Sequence, residues 1–168
     1  VRARRKSATK SESLREGGGS NASICVIYSG TMGAVFEGCT RGIKSIGFSI
    51  TDHNPNIDLS HFEPYIEQIT RRLDELPTPY GTCFNVNAPT GHIKGVRITR
   101  QCKGHWDKEY RITTTPDGTP QYHLIGDYFN HEPNAIDTDE YALKHGYISI
   151  VPTTIDMTDY DTWRNMDF

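Results

Sequence analysis

No stretch of this 168-residue chain approaches the ~18 consecutive apolar residues of a membrane-spanning helix, and none has the pattern of a secretory leader. A cytoplasmic protein with no membrane partner is therefore expected. The four cysteines (Cys25, Cys39, Cys83, Cys102) contain no C-x-x-C, which argues against a disulfide framework or structural zinc and for reduced thiols. Walker G-x-x-x-x-G-K, G-x-S-x-G and H-E-x-x-H motifs are all absent, so P-loop, serine-hydrolase and zinc-protease chemistry have no support. Seven histidines (His53, His61, His92, His105, His123, His131, His145) are scattered and read as surface or packing residues. No internal repeat is visible.

Charge is present but unevenly spread. The formal net charge is −3, yet residues 1–16 hold six Lys/Arg against two Glu, which leaves the remainder at −7. A basic tail on an acidic body suits nucleic acid or an anionic surface. The tail has no aromatic residues for base stacking and almost no apolar ones, so a solvated leader is the better reading and nucleic acid is not an expected partner. Residues 1–19, ending in Gly17-Gly18-Gly19, are read as an unstructured basic leader, and residues 20–168 as one domain with a substantial core.

Within that domain the first half alternates strand and helix patterns. A β-branched run predicts a strand near residues 24–28, followed by a helix near 30–41 that Gly42 stops. Residues 43–50 (IKSIGFSI) predict a second strand, with Gly47 marking a close backbone approach. Phe62, Ile66, Ile69, Leu73 and Leu76 recur at steps of 4, 3, 4 and 3 and form one helical stripe, with Ser60 and Glu63 at capping-box spacing. A third strand is predicted from Thr82 to Asn87. This is the grammar of a parallel α/β sheet, whose ligands gather beyond the carboxyl ends of the strands. Asn85 and Asn87 share one face near that end, where they either orient a ligand or satisfy backbone groups.

After residue 90 the pattern changes. Residues 95–100 (GVRITR) predict a half-exposed antiparallel strand. Arg97, Arg100 and Lys103 there suit either an anion or a solvated edge. Tyr110–Thr115 and Gln121–Ile125 flank Asp117-Gly118 as a hairpin. Residues 137–145 predict a short helix capped by Asp137 or Thr138, and residues 147–151 a strand. Trp163 and Phe168 in the acidic tail are available for docking.

The most informative segment is Tyr28-Ser29-Gly30-Thr31-Met32-Gly33-Ala34. A turn of Ser, Gly and Thr opening a small-residue helix directs free N–H groups, hydroxyls and the positive helix end at one point. Such a site suits phosphate or carboxylate. No carboxylate pair flanks the turn; Glu16 and Glu37 are the nearest acidic groups.

Together these blocks resemble the survival protein SurE family of metal-dependent nucleotidases and phosphatases. The resemblance runs in order through Gly19-Ser20-Asn21, Tyr28 to Ala34, Glu37-Gly38, Ser45 to Ser49, Asn85 to Pro89, Gly95 to Gln101 and Gly146 to Pro152. It implies an α/β, Rossmann-type three-layer core with a C-terminal antiparallel β-hairpin extension, and hydrolysis of nucleoside monophosphates or other phosphoesters with Mg²⁺ or Mn²⁺. Carried over, Ser29 and Thr31 become the catalytic candidates and Asn21 and Gly30 the substrate-binding ones. The family's Asp-Asp pair and its Ser have no counterpart, and its metal-binding Asn falls on Gly17, so no metal ligand is assigned. The expectation is the C-terminal two-thirds of such an enzyme, with impaired turnover or as a non-catalytic remnant, assembled as a homodimer or homotetramer through the extension.

Overall fold

A computed structural model describes residues 20–167 apart from 53, 55 and 56; the basic leader and Phe168 lie outside the described residues. A four-stranded sheet in the order β1-β2-β8-β3 carries the domain. Strand β1 (Ile46–Ile50), helix α2 (Glu63–Glu75) and strand β2 (Thr82–Ala88) form the predicted βαβ unit, with β1 and β2 parallel. Strand β8 (Ile148–Thr154) runs antiparallel to β2. Strand β3 (Val96–Ile98) pairs parallel to β8, which corrects the antiparallel expectation for this segment. Its alternating pattern reports a half-exposed edge and carries no information about the partner's direction.

Side chains of β2 divide between two helical layers. Phe84, Val86 and Ala88 join Phe62, Ile69 and Leu73 in one core under α2. On the other side Cys83 joins Val26, Met32, Val35 and Cys39 beneath α1 (Gly30–Thr40). The result is the three-layer arrangement that the family resemblance implies. All four cysteines are free, and burial pushes the Cys83 thiol up to about 12. Helix α2 begins after Phe62 with Pro64 in its first turn and no side-chain cap, so the Ser60–Glu63 capping box is not formed. The Ser60 N–H instead donates to Asp58.

Helix α1 sits tightly on β1 because Gly47 lacks a side chain. A Cβ there would lie 2.7 Å from Met32 Sδ and 3.1 Å from Val35 Cγ2. Gly47→Val is expected to lift α1 and cost about 1–3 kcal/mol by overpacking. A urea melt measures this, and an unchanged midpoint would refute the close approach.

The predicted strand at residues 24–28 is instead a 3₁₀ helix, η1 (Ser23–Tyr28). Its β-branched composition favours a strand, but tertiary contacts override that preference. Ser23 and Val26 are its buried residues, three apart, which is the period of a 3₁₀ turn; Ile27 and Tyr28 are exposed.

Beyond the sheet, β4 (Gly104–Asp107) pairs with β7 (Asp127–Asn130), and β5 (Tyr110–Thr114) with β6 (Pro120–Leu124) as the predicted hairpin. Helix α3 (Asp139–Lys144) is capped by Thr138 and not Asp137. Asp137 and Glu132 both pair with Arg100, and the Arg97 guanidinium lies 3.9 Å over the Tyr147 ring, so both arginines have partners within the fold. Helix α4 (Tyr160–Asn165) holds Trp163 exposed. No helix among the described residues is long and apolar enough to cross a membrane.

Candidate functional site at the α1 N-terminus

Ser29 caps α1: its Oγ accepts from the Met32 N–H at 3.0 Å and its carbonyl from the Gly33 N–H at 2.9 Å. The N–H groups of Gly30 and Thr31, the first two helical residues, have no acceptor inside the helix. A Cβ at Gly30 or Gly33 would meet nothing within 4 Å, so space lies open beside the turn. Thr31 is buried, and its Oγ1 has no hydrogen-bond partner among the described residues. A polar atom in that state is what a ligand or ordered water satisfies.

Asn21 is brought to the same sheet edge, but its polar groups are engaged. Its N–H donates to Asn87 Oδ1 at 2.7 Å, and its carbonyl accepts from Asn85 Nδ2 at 2.7 Å. Its side-chain amide donates to Ser49 Oγ. The Asn87 amide in turn donates to Asn85 Oδ1 at 2.9 Å. Of the two readings of Asn85 and Asn87, the structure supplies the backbone-satisfying one: they form a buried shelf that fixes the approach to η1.

A second anchor was not legible in the sequence. Asp139, fully buried, accepts from the N–H groups of Ser23 at 2.7 Å, Cys102 at 2.9 Å and Glu140 at 2.8 Å. Tyr128 donates to Ser23 Oγ, which donates to the Cys102 carbonyl. Ser23 itself has φ = 51°, a left-handed conformation that this network holds in place. The signal available was the acidic first turn of the short helix, which on sequence alone reads as an ordinary complement to the helix dipole.

Beside this network a cavity of about 600 Å³ opens between η1, the β4–β7 ribbon and α3, lined among others by Cys25, Thr51, Trp106, Tyr128 and Glu140. Burial, with the adjacent Asp139 charge, raises the Glu140 carboxyl to about 7. The expectation that the histidines do not cluster fails for one pair: His105 Nδ1 lies 2.7 Å from His131 Nε2, brought together by the β4–β7 pairing, while His53 lies outside the described residues. Among the described residues no group of three His, Cys, Asp or Glu side chains is arranged to hold a metal ion.

An α/β layer sandwich whose helix α1 starts in open space at the carboxyl edge of its parallel strands defines the class of protein. A family profile described as Survival protein SurE matches residues 18–108, more than half of the chain. The chain belongs to that family. It is 48% identical over 143 residues to a protein named 5'-nucleotidase SurE from Phocaeicola vulgatus, covering 84% of this chain and 56% of that protein. A 5'-nucleotidase SurE from Bacteroides fragilis matches with the same identity and coverage. The crystal structure of the SurE protein from Aquifex aeolicus superposes with a TM-score of 0.69 at 30% identity, covering 92% of this chain and 62% of that one. The chain thus spans little more than half the length of these curated relatives.

Proposed function

We propose that this domain supplies the phosphate-holding side of a 5'-nucleotidase site acting on nucleoside monophosphates. The Oγ1 of buried Thr31, which has no hydrogen-bond partner among the described residues, carries this reading beside the N–H groups of Gly30 and Thr31, which have no acceptor inside the helix. The N–H groups and the positive helix end would hold phosphate oxygens, and Thr31 and Ser29 hydroxyls would donate as negative charge develops on them. Asn21 acts through placement, since its polar groups are committed to Asn85, Asn87 and Ser49.

The resemblance also calls for Mg²⁺ or Mn²⁺, and the described residues do not fit that ion. Hard divalent cations take carboxylate oxygens, and the described residues at the turn offer hydroxyls and N–H donors. The donor set is one for an anion. Assembly as a homodimer or homotetramer is supported by the β5–β6 hairpin, which exposes Tyr110, Ile112 and Tyr122 on one face. A two-stranded ribbon of this kind is marginal by itself.

The test is phosphate release from a nucleoside monophosphate with Mn²⁺, Mg²⁺ or chelator, alongside inorganic phosphate binding by calorimetry. Thr31→Val is expected to weaken phosphate binding about tenfold, the loss of one hydrogen bond to a charged group. Binding without release supports the non-catalytic alternative, a remnant with anion affinity. An unaltered phosphate affinity in Thr31→Val refutes the assignment of the site.

A further inference from the structure

The β4–β7 ribbon has two faces with different contents. Trp106 and Tyr128, opposite each other in the register, line the cavity, whereas His105 and Phe129, the next pair along, stand on the other face. His131 joins that outer face one step further. Its N–H donates to the Lys103 carbonyl at 2.9 Å, which places it diagonally across from His105. Both histidines are exposed. Their ring centroids lie 4.9 Å apart, with His105 Nδ1 2.7 Å from His131 Nε2. The Phe129 ring, 5.7 Å from that of His105 and inclined by 33°, limits how far His105 can swing.

A contact this short between two ring nitrogens needs one N–H and one lone pair, so at least one imidazole is neutral. When both are neutral, the donor ring can carry its proton on its other nitrogen instead. Both facing nitrogens then present lone pairs, the donor set of a metal chelate, and no proton is released. Nearby carboxylates do not add to it. Glu132, next to His131, already accepts from the Lys103 N–H at 2.8 Å and from Arg100 at 2.9 Å. Among the described residues no third His, Cys, Asp or Glu completes a metal-holding group. Two imidazoles bound at ~2.0–2.1 Å stand about 2.9 Å apart around a right angle and about 3.3 Å apart around a tetrahedral one. The observed 2.7 Å is nearer the first, the angle that tetragonal Ni²⁺ and Cu²⁺ adopt.

We propose that His105 Nδ1 and His131 Nε2 form a two-imidazole site for a late first-row divalent cation, Ni²⁺ or Cu²⁺, with water in the remaining positions. The site is separate from the turn at Ser29 to Thr31 and does not depend on the nucleotidase reading. It is also not a site for Mg²⁺ or Mn²⁺, which take oxygen ligands. The bound ion ties β4 to β7 from the face opposite the cavity. Its two ligands come together only where the strands pair, so it binds the folded chain in preference and stabilises the ribbon.

The experiment is a calorimetric titration of the full chain with Ni²⁺, and separately with Zn²⁺, each in excess Mg²⁺. The wild type is compared with His105→Gln, His131→Gln, the double variant, and His123→Gln, a histidine of the neighbouring hairpin outside the pair. Ni²⁺ is expected to bind the wild type saturably and more tightly than Zn²⁺, undisplaced by Mg²⁺. Either substitution within the pair should weaken Ni²⁺ by more than about tenfold, the least that losing even a supporting partner of a metal ligand costs. The double variant should bind no worse than the singles, since one lost ligand already ends the chelate. His123→Gln should leave the affinity unchanged. Saturating Ni²⁺ should raise the thermal midpoint of the wild type and of neither single variant of the pair. An affinity unmoved by His105→Gln or His131→Gln, or moved equally by His123→Gln, overturns the site. Tighter binding of Zn²⁺ than of Ni²⁺ overturns the right-angle geometry, and a midpoint unchanged by saturating Ni²⁺ overturns the tie between the strands.

Discussion

Asp139→Ala is expected to lose about 3–5 kcal/mol of folding stability. The carboxylate is only 1% exposed and satisfies three backbone N–H groups drawn from η1, the approach to β4 and α3. Truncation strands the Ser23 and Cys102 donors in the interior, each costing about 1–3 kcal/mol, against a typical total of ~5–15 kcal/mol. Asp139→Asn separates the contributions. Oδ1 serves Cys102 and Glu140 whereas Oδ2 serves Ser23, so an amide keeps the first two and sets a donor against the Ser23 N–H. The asparagine variant should therefore fall between wild type and alanine, with faster hydrogen exchange concentrated at Ser23. Urea denaturation provides the first number, and a loss below ~1 kcal/mol for alanine would contradict the anchoring role.

Glu140→Gln is expected to stabilise the fold in alkaline solution and leave it unchanged in acid. The wild-type carboxyl titrates near its ordinary 4.5 when unfolded and at about 7 when folded, because burial and then the Asp139 charge oppose its ionisation. A folded value above the unfolded one means that the unfolded chain releases its proton first as pH rises. The stability associated with the protonated form is complete below about pH 4.5 and is lost progressively up to and through pH 7. The shift corresponds to about 3 kcal/mol, and the neutral amide avoids that loss. Melts at pH 4.5 and pH 8 should coincide for the first condition and separate by up to that amount in the second. Glu132 does not confuse the comparison: Arg100 holds it down at about 2, so its own effect appears as pH falls below about 4.5. Equal pH slopes for the two proteins would refute the burial of this carboxyl.

These two residues occupy the part of the molecule that sequence reasoning read least well. Helix α2 was legible because its stripe is set by a single face, and Phe62, Ile69 and Leu73 do enter the core, although Leu76 falls outside the helix and is exposed. The β5–β6 turn was legible because Asp117-Gly118 demands a left-handed glycine, and Gly118 has φ = +86°. Asn85 and Asn87 were placed on one face by the two-residue period of a strand. Segment 24–28 was misread because composition reports what a strand tolerates, whereas Asp139, 116 residues away in sequence, decides where Ser23 lies. The β4–β7 pairing joins segments twenty residues apart around an inserted hairpin, with no turn signal of its own. The Trp106 wall and the His105–His131 pair were hidden for the same reason. The start of α1 at Gly30 was legible because the capping chemistry of Ser29 is local.

Strand β2 carries a constraint of another kind. Its odd positions, Cys83, Asn85 and Asn87, serve the α1 side, and its even positions, Phe84, Val86 and Ala88, fill the core under α2. Neither set can take the other's place, since asparagines would enter an apolar core while Phe84 and Val86 would abandon the Asn21 backbone. Evolution can therefore vary the residues of this strand within each face but cannot lengthen or shorten it by one. Among SurE relatives, insertions and deletions should be excluded from β2 and admitted in the β5–β6 turn, where Gly118 stands in open space.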